Sequence, residues 1–173
     1  MLTVDDDQLH MRRALRLAAR GRGRVSPNPM VGAVIVDDSG QVLGEGYHQQ
    51  IGGPHAEAHA LAVAGDRARG STLYCTLEPC TVDGRTPPCA DAVAAAGIRR
   101  LVCALPDPDP RVRGRGFEQL RQAGVEVDVG TGACAASELL AAYLHHRRTG
   151  RAMMTLKLGQ TLDGRIATGA GIS

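Results

Sequence analysis

The stretch from His55 to Cys89 constrains this chain more than any other. It opens with His55-Ala56-Glu57 and runs through Glu78-Pro79-Cys80 to Gly84-Arg85-Thr86-Pro87-Pro88-Cys89. One imidazole and two thiols are three ligands of the kind zinc prefers. Three protein ligands leave the fourth tetrahedral position open for water, as a catalytic rather than a structural site does. Glu57, two residues from the imidazole, then reads as a proton shuttle and not a ligand. Zinc makes a water reactive near neutral pH, and a carboxyl that moves its proton is worth roughly 10²–10⁴-fold. One zinc ion per chain is the expectation. A structural zinc is the competing reading. It wants a fourth protein ligand, for which His59 is the candidate by the His i, i+4 spacing, but such a site has no use for an unliganded Glu57.

The rest of the chain supplies a scaffold. Leu9, Ala14, Leu15 and Ala18 lie near helical spacing and predict an amphipathic helix from Asp7 to Arg20, acids first and Arg20-Gly21 last, as its dipole favours. Met30 to Val36 and Gln41 to Tyr47 are strand-like runs around Asp38-Ser39-Gly40, a hairpin pattern. His55 to Ala64 predicts a helix with Ala58, Leu61 and Ala62 facing inward. Residues at i and i+2 do not share a helix face, so His55 and Glu57 reach one metal only if His55 sits at the helix's opening edge. Ser71 to Leu77 predicts a strand whose exit loop carries Cys80. Thr86 as N-cap and Pro87 at the first helical position predict the next helix, with Cys89 in a first turn that favours a thiolate. Further strands at Arg100 to Leu105 and Val125 to Val129, and helices at Arg115 to Gln122 and Ala133 to Arg148, complete the alternation. A hairpin followed by alternating strands and helices implies an α/β fold, its sheet mostly parallel in the second half and covered on both faces.

Zinc nucleobase deaminases carry H-x-E with P-C-x-x-C; here the second half is stretched to P-C-x8-C. That spacing is joined by Asn28-Pro29-x-Val31-Gly32, Gly44-x-Gly46-x-His48, His55-Ala56-Glu57-x-His59-Ala60, the Leu77-to-Cys89 block, Asp107-Pro108 and Gly114-Arg115-Gly116. Along nearly its whole length the chain resembles the pyrimidine-deaminase half of the bifunctional deaminase/reductases of riboflavin biosynthesis. The resemblance implies a cytidine-deaminase-like three-layer α/β/α sandwich around a five-stranded mixed sheet. It implies zinc on His55, Cys80 and Cys89, with Glu57 as the catalytic acid–base. The implied reaction is hydrolytic deamination of 2,5-diamino-6-(5-phosphoribosylamino)pyrimidin-4-one to 5-amino-6-(5-phosphoribosylamino)uracil. Arg85 matches the family's basic position for the phosphate, and Asn28, His48, Asp107 and Asp109 lie where the family contacts substrate. Two positions depart from the pattern: Val82 stands where the family carries His, and Asp109 where it carries Asn. Both leave the zinc chemistry intact and bear on how the substrate is held.

Met153 to Ser173 resembles the opening strand of the family's reductase domain. The expected organisation is therefore a deaminase domain over 1–149 and a truncated reductase start over 150–173, with no complete reductase or NADPH site. Met154, Leu156 and Leu158 alternate on one face of that run, which is expected to pair with another subunit's sheet, while Gly159 to Ser173 is expected to lack regular structure. The resemblance implies a homodimer or homotetramer.

Composition sets what is excluded. With 173 residues, 43% of them hydrophobic, the chain is long enough for one domain with a sizeable core. A net charge of +2, no Trp, one Phe and three Tyr argue against a nucleic-acid partner. Asp5-Asp6-Asp7 is no signal-peptide start, and no apolar run nears the ~18 residues of a membrane span, so the expectation is a cytoplasmic protein without a membrane partner. Five cysteines, an odd number, do not read as a disulfide framework; Cys75, Cys103 and Cys134 read as small buried hydrophobes. Two alternatives stay open. One is a deaminase for another base (cytosine, guanine or a tRNA adenine), against which the x8 spacing and Arg85 speak. The other is a catalytically silent zinc-binding assembly module, against which Glu57 speaks.

Overall fold

Alternate residues along a strand point to opposite faces of its sheet, and in this chain each face has its own helices. The computed structural model describes residues 2–82 and 87–166. Strands β1 (Gly32–Val36), β2 (Val42–Tyr47), β3 (Thr72–Cys75), β4 (Arg100–Cys103) and β5 (Glu126–Val129) form one five-stranded sheet in the order β2-β1-β3-β4-β5. β1 is antiparallel to β2 and β3, while β3, β4 and β5 are parallel. Ala33, Ile35, Leu73, Cys75, Leu101 and Cys103 pack against α2 (Ala56–Ala64), α3 (Cys89–Ala95) and α4 (Arg115–Gln122). Val34, Val36, Tyr74 and Val102 pack against α1 (Val4–Ala19) and α5 (Ala133–Leu139) on the other face. This is the expected mixed-sheet α/β/α sandwich. A small third cluster seats α6 (Ala141–Thr149) through Leu140 and Leu144 on Leu77, just beyond β3.

α1 starts earlier than its apolar spacing predicts, because Thr3 and Asp6 form a capping box. A buried polar clip then ties it across the sheet. Asp7 accepts from the Tyr74 hydroxyl at 2.6 Å and from Arg100 at 3.0 and 2.9 Å, and Arg100 reaches Asp128 at 2.7 Å.

Several expectations need correction. The buried face of α2 is Ala56, Glu57, Ala60 and Ala64, not Ala58, Leu61 and Ala62. Gly44 and Gly46 on β2 decide this: a Cβ would stand 2.3 Å from the Ala60 carbonyl oxygen at Gly44 and 2.6 Å from that of Ala56 at Gly46. Only glycines allow helix and strand backbones to meet that closely. The expected C-terminal helix is two, interrupted at Leu140 (φ −96°, ψ 8°), where the chain turns Leu140 into the third cluster. α3 begins at Cys89 with Pro88 as its N-cap, and Thr86 lies outside the described residues. Cys134 is exposed, whereas Cys75 and Cys103 are buried side by side in the β3–β4 register. Outside these corrections, Met153 to Leu158, whose expected pairing is with another subunit's sheet, forms no strand within the single chain and is exposed, as is Gly159 to Ile166; residues 167–173 lie outside the described residues. No helix among the described residues is long and apolar enough to cross a membrane.

Candidate metal centre and active site

The candidate residues gather where open α/β sheets hold ligands, beyond the carboxyl ends of strands. β2 leads directly into His48, β3 runs on to Cys80 and β4 to Asp107, while Asn28 and Val31 precede the antiparallel β1. α2 and α3 bring their N-termini to the same edge.

His55 is the N-cap of α2, with extended backbone (φ −76°, ψ 168°). It therefore escapes the helix-face restriction, as the i, i+2 argument requires. Its Nδ1 lies 3.2 Å from Cys89 Sγ and 3.6 Å from Cys80 Sγ, and the three potential ligand atoms fall within 4.8 Å of one another. A tetrahedral ion with His N at ~2.0–2.1 Å and Cys S at ~2.3 Å holds such atoms ~3.6 Å apart. The spacing and the donor types both fit zinc. Cys80 is the sulfur readied as thiolate. It accepts from the Cys89 thiol, the His55 ring and the Cys89 backbone N–H (3.4 Å), which hold its pKa well below the usual thiol range. Cys89, donor in that sulfur pair and buried, is pushed upward. His59 is not part of this group.

Glu57 is 3% exposed. Burial pushes its carboxyl up to about 7, and the negative sulfur of Cys80 adds to the effect. It opens onto a cavity of about 410 Å³, which Asn28, His48, Val82, Asp107 and Asp109 also line. That volume lies in the range of small-molecule sites.

His48 is buried, with Nδ1 3.1 Å from the Pro54 carbonyl oxygen and Nε2 3.2 Å from Asn28 Nδ2. A carbonyl only accepts, so Nδ1 carries the proton. Burial keeps the ring's pKa below its ordinary value, and the neutral ring then accepts at Nε2 from the Asn28 amide. Asn28 Oδ1 is thereby oriented as an acceptor for a bound molecule.

The two aspartates are engaged by the protein. Asp107 accepts from the Tyr143 hydroxyl at 3.0 Å and from the Asp109 backbone N–H at 2.8 Å, and burial raises its pKa. Asp109 is paired with Arg111 at 3.0 and 2.8 Å and approached by Arg147 at 3.5 Å. Hydrogen bonds from Arg111 hold its carboxyl down to about 2. A carboxylate so paired presents its arginines to the cavity more than itself. Arg85 lies outside the described residues.

Sequence reasoning missed three contributors. Tyr143 and Arg147 reach the cavity from α6, and their only sequence signal was an i, i+4 spacing on a helix. Glu78 accepts from the backbone N–H groups of Asp107 (3.1 Å), Gly114 (3.0 Å) and Gly116 (2.9 Å). It thus locks the loop after β4, and with it Asp107 and Asp109, against the start of α4.

A His/Cys/Cys cluster beside a buried Glu, on the carboxyl edge of a mixed α/β/α sheet, is the layout of the zinc deaminases. Residues 4–105 match the family described as the cytidine and deoxycytidylate deaminase zinc-binding region, and the chain belongs to it. It is 53% identical over 167 residues to the riboflavin biosynthesis protein RibD of Escherichia coli (strain K12), covering 96% of this chain and 45% of that one. Acinetobacter baumannii RibD (form 1) superposes with a TM-score of 0.93 at 46% identity, covering 99% of this chain and 48% of its own. A Thermotoga maritima diaminohydroxyphosphoribosylaminopyrimidine deaminase/5-amino-6-(5-phosphoribosylamino)uracil reductase gives 0.91 at 42% identity, over 97% and 48%. The chain spans about half the length of the curated relatives it matches.

Proposed function

We propose that this chain is a zinc-dependent deaminase that converts 2,5-diamino-6-(5-phosphoribosylamino)pyrimidin-4-one and water into 5-amino-6-(5-phosphoribosylamino)uracil and ammonia. The observation that carries the reading is Glu57, a buried carboxyl outside the ligand trio that faces the cavity. The names of the relatives from E. coli and T. maritima support the choice of substrate.

His55, Cys80 and Cys89 hold the zinc, which when bound supplies the Lewis acidity that makes water a nucleophile near neutral pH. Glu57 takes a proton from the attacking water as a C–O bond forms at the ring carbon bearing the amine. It returns a proton to the departing nitrogen as the C–N bond breaks and ammonia leaves. Its burial, which favours the protonated carboxyl over the free carboxylate, suits Glu57 to carrying a proton between the two. Asn28, fixed by His48, accepts from an amino or ring N–H of the pyrimidine, and Arg85 is assigned to the phosphate. Residues 1–149 are taken as the deaminase domain and 150–173 as the start of a reductase domain. In support, α6 ends at Thr149 and 150–166 forms no helix or strand.

The test is ammonia release from the zinc-loaded protein, offered the phosphorylated diaminopyrimidinone, cytidine or guanine. Release from the first alone is expected. Preferential release from cytidine or guanine assigns the chain to another base, and none from any of them, with zinc bound, makes it a silent module.

A further inference from the structure

Arg147 carries a positive charge that the described residues engage only at a distance. It sits one helical turn after Tyr143 on the same face of α6. Its guanidinium lies 5.3 Å from the centre of the Tyr143 ring, and the Tyr143 hydroxyl is anchored on Asp107. The side chain is therefore held in place by stacking on one side and by Asp109 on the other. Asp109 already accepts two hydrogen bonds from Arg111, with Arg147 Nη1 farther off at 3.5 Å. Arg147 therefore takes the weaker share of that carboxylate. Arg147 Nε, moreover, is buried without a hydrogen-bond partner among the described residues. A buried donor on a cation is costly to leave unpaired, and the cost is removed when a ligand brings the acceptor.

Arg111 and Arg147 both line the cavity that Glu57 and Cys80 line. Their partner Asp109 follows β4, the strand beside β3, whose exit carries Cys80. The cluster is thus displaced sideways from the metal ligands by a strand spacing of ~4.8 Å or more, where the unreacting end of a molecule bound at the metal would reach. Planar guanidinium forks match tetrahedral oxyanions bidentately, and the two arginines together suit a phosphate monoester.

We propose that Arg147, with Arg111 beside it, binds the 5′-phosphate of the substrate, a role that rests on the substrate assignment above. Arg147 thereby favours phosphorylated over unphosphorylated ribosylaminopyrimidine.

Ribose 5-phosphate is the probe, titrated calorimetrically into the zinc-loaded full chain so that binding is read without turnover. Arg147→Met and Arg147→Gln are expected to weaken it about ten- to a hundredfold, the range of a charge-assisted hydrogen bond, and Arg147→Lys less than either. In turnover, Arg147→Met raises KM for the phosphorylated pyrimidine more than it lowers kcat. Gln keeps a donor toward Asp109, so its circular dichroism reports whether loss of binding is loss of fold. Wild-type affinity in a folded Met or Gln variant, or no ribose 5-phosphate binding by the wild type, overturns the assignment. Binding through Arg147 without ammonia from the pyrimidine phosphate would sink the deaminase reading and leave this one standing.

Discussion

Glu57 and the three ligand candidates beside it answer to different substitutions. Glu57→Gln keeps the side chain's shape and leaves His55, Cys80 and Cys89 untouched. Elemental analysis is expected to find about one zinc per chain, while ammonia release drops roughly 10²–10⁴-fold. Cys80→Ala and Cys89→Ala are expected to lose the zinc. Full occupancy in either cysteine variant reassigns the ligands, and near-wild-type turnover in zinc-loaded Glu57→Gln means another group moves the proton. Asp109 gives a test with a pH signature. Its carboxyl titrates at about 2 in the fold against 3.8 for the free group, chiefly through Arg111. A depressed carboxyl stabilises the fold above its unfolded pKa, and that contribution is lost as pH falls through the folded value. Urea titrations should put Asp109→Asn below the wild type by on the order of 1–2 kcal/mol at neutral pH, discounting for the exposed Arg111. The gap should close between pH 3.8 and about 2; a gap that persists at low pH would place the effect in shape instead of charge. That His55, Cys80 and Cys89 gather beside Glu57 was legible in the sequence because the pattern is local: two short motifs bring all four to one place. Asp109 was legible as a position but not in its role, because Arg147 is supplied by a helix with no motif of its own.

At the scale of elements, the clip that joins α1 to β3, β4 and β5 is the most exposed to single substitution. Asp7→Ala would leave the Tyr74 hydroxyl and the largely buried Arg100 without their shared acceptor. Breaking such a pair from one side costs about 3 kcal/mol, so the urea midpoint should fall well below that of Asp7→Asn, which keeps an acceptor oxygen. Equal midpoints would show that Asp128 alone satisfies Arg100. No local rule pairs Asp7 with Arg100, and in sequence the acid reads only as a favourable helix-start charge. The order of strands and helices was legible from apolar runs and from Gly and Pro punctuation. The buried face of α2 was not, because Ala occupies most of its positions and any face would serve. The glycines of β2 choose it. The interruption at Leu140 likewise has no Gly or Pro to announce it, and follows from seating Leu140 and Leu144 on Leu77. That seating is also what carries Tyr143 and Arg147 to the cavity.

Across the whole molecule, the segment from Met154 to Ile166 stands apart from the sandwich. Met154 is 93% exposed and Leu156 81%, and Leu158, Leu162 and Ile166 are exposed with them. Ala152 and Met153, by contrast, line a hollow beside Pro27 to Met30 and α6, so they belong with the body. Apolar surface on this scale gains about 25 cal/mol for each Å² it removes from water. An alternating run with unpaired backbone is also a template for joining another sheet. A second copy of the chain supplies such an edge at β5 or β2, the two outer strands. Removal of residues 154–173 is therefore expected to leave zinc content, thermal midpoint and ammonia release near wild type, because among the described residues none of the candidate site lies beyond Arg147. Self-association is expected to weaken without vanishing, on the expectation that a dimer or tetramer forms through the sandwich itself. Light scattering on both forms decides it. A monomeric full-length chain removes the oligomer from the account, and a folded, zinc-loaded deletion without activity places the segment in the site itself.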